Sequence, residues 1–279
     1  MKIRLLAAAL PLAFAAMSAP IAHADENLFG YVKGSETLPE DASEAYVWLT
    51  HRFDKGQGEY SAYDSKLEYE YGVTSRFTAA AALMGQSIDT SGLVINGYLP
   101  GAESYGFKLS GIELKGKYNF LSAAMDPVGL SQLVAVANAG LEGTYAKRDP
   151  LDAATQASAD SAMQALTGDP GATFEWPTEP EMELEVTFGA GVSYRFAPNW
   201  SIGAETQYQT EFETEVGQER YSWFAGPTLH YGSEKWWATL TWFEQLKGGK
   251  EQYINQADGN LHLIEKTEHE VRLKLGYNF

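Results

Sequence analysis

The chain has 279 residues, with 37 aspartates and glutamates against 20 lysines and arginines and a formal charge of -17. That balance excludes nucleic acid as a partner, because phosphates would be repelled, and the lack of cysteine excludes disulfides and thiolate metal sites. A slightly polar mean hydropathy excludes a bundle of membrane-spanning helices.

In chain order, residues 1–24 read as a secretory signal peptide. Lys2 and Arg4 form a short basic start, Leu5 to Ala16 is apolar, and Ala22-His23-Ala24 is an A-x-A cleavage site. A retained membrane anchor is the alternative. Cleavage near Asp25 would remove two cations and no acid, so the exported chain would be still more acidic. Residues 25–41, with Leu28, Phe29 and Tyr31, read as an N-terminal tail, an extra strand or a plug.

Beyond residue 42 the dominant pattern is alternation of apolar and polar side chains. A strand places successive side chains on opposite faces, so each alternating run has one apolar and one polar face. The runs fall at 44–53, 62–73, 76–88, 112–120, 131–146, 181–196, 200–213, 219–231, 235–247 and 269–279. The clearest is EMELEVTFGAGVSYRF, with Met182, Leu184, Val186 and Phe188 opposite in parity to Glu181, Glu183, Glu185 and Thr187. These runs are longer than the usual soluble strand of about 5–6 residues. The alanine-rich runs at 76–88 and 131–146 also suit a helix on propensity alone. Pro227 interrupts one strand and needs a bulge or a lost ladder bond. Between the fifth and sixth runs, residues 150–168 read as a helix in a long loop spanning 147–180.

The connections nearly alternate between short and long. Thr74-Ser75, Ala197–Asn199 and Gly232–Glu234 are short, whereas 54–61, 89–104, 147–180 and 248–261 are long. Aromatic residues such as Tyr71, Tyr118, Phe196, Trp200 and Trp236 gather near the short turns. The expected fold is all-β: a transmembrane up-and-down antiparallel barrel over 42–279. It would have about ten strands, or twelve if 25–41 and part of 89–104 pair, with short periplasmic turns and long external loops. A soluble β-sandwich is the competing reading.

The final run ends HEVRLKLGYNF. Val271, Leu273, Leu275, Tyr277 and Phe279 share one parity. This ending resembles the carboxyl-terminal recognition signal of bacterial outer-membrane β-barrel proteins. The resemblance implies an address read by the barrel-insertion machinery, and a Gram-negative outer membrane with its lipid and lipopolysaccharide as surroundings. ENLFGYVKGSETLP, the aromatic-rich run at 44–53 and LEYEYGVTSRF resemble an uncharacterised barrel family known mainly as a domain of unknown function. That family implies no activity.

The polar faces carry the candidate site. The expected basic partners are Lys66, Lys115, Lys117, Arg195, Arg220, Arg272 and Lys274. If the turn at 197–199 sets Phe196 opposite Trp200, then Glu185 falls opposite Glu211 and Glu183 opposite Glu213. Like charges so placed destabilise a sheet pair. Water, Arg220 or a divalent cation bound through oxygen could offset them; this is the one cofactor the chain suggests. An acidic lumen would favour cations. The first functional reading is a small cation-preferring channel or transport protein for ions or small solutes. The second is a plugged structural or surface-binding barrel working through 147–180. The third is a lipid-acting or proteolytic enzyme, whose best base, His51, lies near Ser61 and Ser65. No motif joins the histidines to a nucleophile and an acid, so the chain reads as a non-enzyme before an enzyme, with no catalytic residue and no resident metal assigned.

Overall fold

The computed structural model describes residues 27–34, 36–93, 102–119, 133–146, 149–176, 178, 181–213 and 217–279. The cleavage site at Ala22 and Ala24 lies outside them. Ten strands form one antiparallel sheet: β1 (Ser43–Phe53), β2 (Glu59–Thr74), β3 (Phe77–Ser91), β4 (Ala102–Tyr118), β5 (Leu133–Ala146), β6 (Glu181–Ala197), β7 (Trp200–Glu213), β8 (Gly217–Gly232), β9 (Trp236–Gly249) and β10 (His269–Asn278). The alanine-rich runs become β3 and β5, so alternation prevails there over helix propensity.

The strand order is β4-β3-β2-β1-β10-β9-β8-β7-β6-β5, which corrects the expected closed barrel. The sheet is open: β4 and β5 are its two edges, and no ladder joins them among the described residues. Closure requires edge strands in matching register. On β4 the pairing with β3 slips twice, between Met84 and Gly85 and between Gln86 and Ile88. Such bulges bend and twist an edge strand out of line for further pairing. Lys108, Glu113, Lys115 and Lys117 also place charge along that edge.

The two faces follow the alternation. Leu67, Tyr69, Ile112, Leu114, Phe188, Ile202, Leu240 and Leu273 are exposed on one face. Glu68, Glu70, Lys66, Glu205, Thr228, Arg220 and Thr241 are buried on the other. Pro227 is accommodated by the lost ladder bonds it requires. It sits opposite Ala204 on β7, but the β8–β9 ladder is interrupted between Ala225 and Thr228.

Helix α1 (Ala153–Thr167) starts where the Asp152 carboxylate accepts from the Ala154 and Thr155 N–H groups at 2.9 and 3.0 Å, and ends at Gly168 with φ of 71°. The 250–268 connection folds back onto the polar face. Buried Gln245 of β9 donates to the His262 and Thr267 carbonyls, each at 3.0 Å, and accepts from the His262 N–H at 2.6 Å. Gln245→Ala removes this clamp and should weaken the connection by roughly 2 kcal/mol, since each net bond contributes about 0.5–1.5 kcal/mol. Hydrogen exchange should quicken across 260–268 and stay unchanged in α1. Equal rates in both proteins would refute the clamp.

Candidate functional site

The site is the polar face, and residues 27–34 lie across it as a bent, irregular segment. They form no strand. Their anchor is Glu205 on β7, which is 2% exposed. Its carboxylate accepts the backbone N–H groups of Gly30, Tyr31 and Val32 at 2.8, 2.8 and 2.9 Å, and the Thr241 hydroxyl at 2.7 Å. Successive backbone N–H groups make a concave seat suited to an anion, here filled by the side chain of another strand. The close approach needs glycine: a Cβ at Gly30 would stand 2.6 Å from the Thr241 hydroxyl oxygen. Phe29 likewise rests where a side chain on Gly191 of β6 would be, 2.7 Å from its Cβ position.

Strand β10 grips the same segment. Arg272 stacks between Tyr31 and Trp48, 3.7 and 4.0 Å from the ring centroids, and donates to Thr50 Oγ1 at 2.8 Å and to the Gly30 carbonyl at 3.2 Å. Lys274 donates to Asn27 Oδ1 at 2.8 Å. The Tyr31 ring also stacks on Phe243 at 4.1 Å. Leu28, Phe29 and Val32 form a buried apolar cluster beneath. A cavity of about 470 Å³ lies on one side of the segment and one of about 820 Å³ on the other, with Asn27 lining both. Arg195 lines the larger one, near the 198–199 turn.

The remaining expected site residues fall into two ion-pair groups. On β2 and β4, Lys66 meets both oxygens of Glu113 at 2.7 Å and Glu68 at 3.0 Å, while Lys115 meets Glu68 and, at 3.6 Å, Glu70. Lys117 lines the smaller cavity beside them. On β6 and β7, Glu185 pairs with Glu211 and Glu183 with Glu213, as the count from the turn requires. Nearer the turn the register shifts, so Ala197 and not Phe196 stands opposite Trp200.

Arg220 separates these acids. It meets Glu183 and Glu219 at 2.8 Å and forms a further bond with Glu211. Lys266, from the 250–268 connection, meets Glu185 at 2.9 Å and Glu211 at 3.2 Å. The chain's own cations therefore hold Glu183, Glu185 and Glu211, and no group of three or more metal-ligating side chains occurs among the described residues. Nothing local in the sequence marks Lys266 or Glu205. The only hint of Lys266 was an acidic pair in need of a cation.

His262 packs over this group at 1% exposure. Burial first, then the nearby Arg220 charge, pushes its imidazole down to about 4, and Nδ1 has no hydrogen-bond partner among the described residues. The unfolded chain, with an ordinary histidine near 6.5, takes up this proton first. The stabilising contribution is thus complete above about pH 6.5 and is lost as pH falls towards 4. The loss is on the order of 2–3 kcal/mol. Thermal unfolding of the native chain should drop faster between pH 7 and 4 than that of His262→Gln; parallel curves would refute this.

His51 hydrogen-bonds Ser61 at 2.9 Å and stacks on Tyr63 at 4.4 Å, on the outward side of β1. No carboxylate hydrogen-bonds it among the described residues, so the pair lacks the orienting acid of a hydrolytic relay. Leu273, Leu275 and Phe279 are exposed, and Tyr277 packs edge-on against Trp236 at 4.6 Å.

The profile of a family of unknown function (DUF6662) matches residues 21–132 and 131–279. The chain belongs to that family. The two matched stretches divide this DUF6662 member between β4 and β5, where the sheet is open. No curated protein matches. Among solved structures, this member is similar to an outer membrane channel from Pseudomonas putida F1, at 12% identity over 93% of this chain and 100% of that one, with a TM-score of 0.48. It is also similar to the NanC porin, at 9% identity over 85% and 99% of the two chains and a TM-score of 0.26. The outer membrane protease OmpT from Escherichia coli matches at 10% identity over 88% and 97%, with a TM-score of 0.26.

Proposed function

We propose that the protein works in the bacterial outer membrane, in the passage of small solutes, and that residues 27–34 hold its polar interior shut. The observation that carries this reading is the position of the segment. It lies between two cavities and is bound at its middle by a buried carboxylate from the far side of the sheet. An apolar outward face supports the membrane setting: Ile112 is 74% and Leu114 80% exposed, and soluble monomers rarely expose large contiguous apolar patches. Export by a leader ending near Ala24, and contact with outer-membrane lipid, lipopolysaccharide and the insertion machinery through Val271–Phe279, belong to the same proposal.

The test is a planar bilayer recording on the whole exported chain and on a chain lacking residues 27–34. The whole chain should stay closed for most of the record, and the shortened one should conduct in discrete steps. Silence from both, with both folded and inserted, would overturn the reading.

A further inference from the structure

We infer that the cavity of about 470 Å³ beside residues 27–34 binds a small anionic solute through its carboxylate or phosphoryl oxygens. This deepens the proposed passage of solutes by naming the class that the interior accepts. The chain as a whole has 37 acids against 20 bases, yet the balance reverses here: leaving aside Lys266, whose charge is met by Glu185 and Glu211 outside the cavity, seven lysines and arginines line it against six carboxylates. A cavity with an excess of one sign, walled by protein, concentrates counter-ions of the other.

The acids present are largely taken up by the chain's own cations. Asp64 accepts both Arg52 Nε at 2.6 Å and Arg52 Nη2 at 3.1 Å. Glu68 and Glu113 are held by Lys66 and Lys115. Ammonium groups reach the cavity from three separate parts of the chain: Lys33 from the N-terminal segment, Lys117 from β4, and Lys274 from β10, which also donates to Asn27. Lys33 lines the cavity from the N-terminal segment. Burial, followed by the charge of Lys115, pulls its ammonium below the ordinary lysine value, and Glu113 opposes this. An anion seated among these groups would relieve the repulsion and accept several charge-assisted hydrogen bonds at once. The volume lies within the range of ordinary small-molecule sites, about 300–1,000 Å³. The acids Glu183 and Glu211 are not among the lining residues; Lys266 stands at the boundary between the two groups.

Titration calorimetry on the whole exported chain in detergent micelles, at low salt, tests this with succinate and with the dication putrescine. Succinate should bind saturably, compete with inorganic phosphate, and bind at least ten-fold more weakly to Lys33→Glu, while putrescine does not bind. Lys33 lies outside the strands and makes none of the bonds that anchor the segment, so this variant should keep its fold, checked by an unchanged far-ultraviolet circular dichroism spectrum. Lys117→Gln should weaken succinate as well. Putrescine binding in place of succinate, or unchanged succinate affinity in Lys33→Glu, would overturn the inference. Succinate binding without conductance in the chain lacking 27–34 would defeat the passage reading alone. Conductance without succinate binding would defeat this one alone.

Discussion

Glu205→Ala is expected to free residues 27–34 from the sheet. The segment buries Leu28, Phe29 and Val32, each contributing about 1.5–3 kcal/mol. Ordering the backbone costs about 1–2 kcal/mol per residue. Apolar burial alone therefore falls short over a stretch of this length, and the hydrogen bonds decide. Alanine at 205 removes the acceptor of three backbone N–H groups and of the Thr241 hydroxyl, leaving buried donors unpaired. Bonds to a charged acceptor contribute about 1.5–3 kcal/mol each and are not additive, so a loss of about 3–5 kcal/mol is expected. Proteolysis should cut near residues 27–34 in the variant and spare the native chain, while far-ultraviolet circular dichroism stays the same. Glu205→Gln, which keeps an acceptor but loses the charge, should fall between them. A segment equally protected in all three proteins would show that Glu205 is not its anchor.

Arg220→Met should be comparably severe, for a different reason. Arg220 is 5% exposed and its guanidinium sits among Glu183, Glu211 and Glu219, with Glu251 at 3.5 Å. Methionine fills much of the volume but leaves buried carboxylates facing one another across β6, β7 and β8. Breaking one side of a buried ion pair typically costs about 3–5 kcal/mol, because the remaining charge is neither solvated nor paired. The urea midpoint should fall accordingly. Adding Glu211→Gln should restore part of it, since the second change removes the stranded charge. A double variant less stable than Arg220→Met would contradict the account.

Much of this was legible in the chain. All ten strands announce themselves by alternation, and Glu185 falls opposite Glu211 as counted, although the turn pair is Ala197 and Trp200 and a register shift between Arg195 and Ala197 makes up the difference. Alternation, however, reports which face a side chain occupies and says nothing about whether two edge strands meet. The expected closed barrel failed at that step, where bulges between Met84 and Ile88 redirect β4. The anchor at Glu205 was out of reach for another reason. It bonds Gly30 across 175 positions, and Glu205 is one of several acids on polar strand faces, with nothing local to mark it. Lys266 bonds Glu185 across 81 positions from within an irregular connection, where no periodicity constrains its direction.

The first and last strands are neighbours in the middle of the sheet, joined from Glu44↔Asn278 to Phe53↔His269, while β4 and β5 share no ladder among the described residues. The chain is therefore two hairpin meanders, β1 to β4 and β5 to β10, held edge to edge along a single seam. Closing that seam brings together residues such as Thr50 and Arg272, 222 positions apart, so it must be among the slowest steps of assembly. A break in the backbone between β4 and β5 would leave every ladder intact. The two fragments would each carry a complete meander and one half of the seam, which is the arrangement needed for a split protein to reassemble from its pieces.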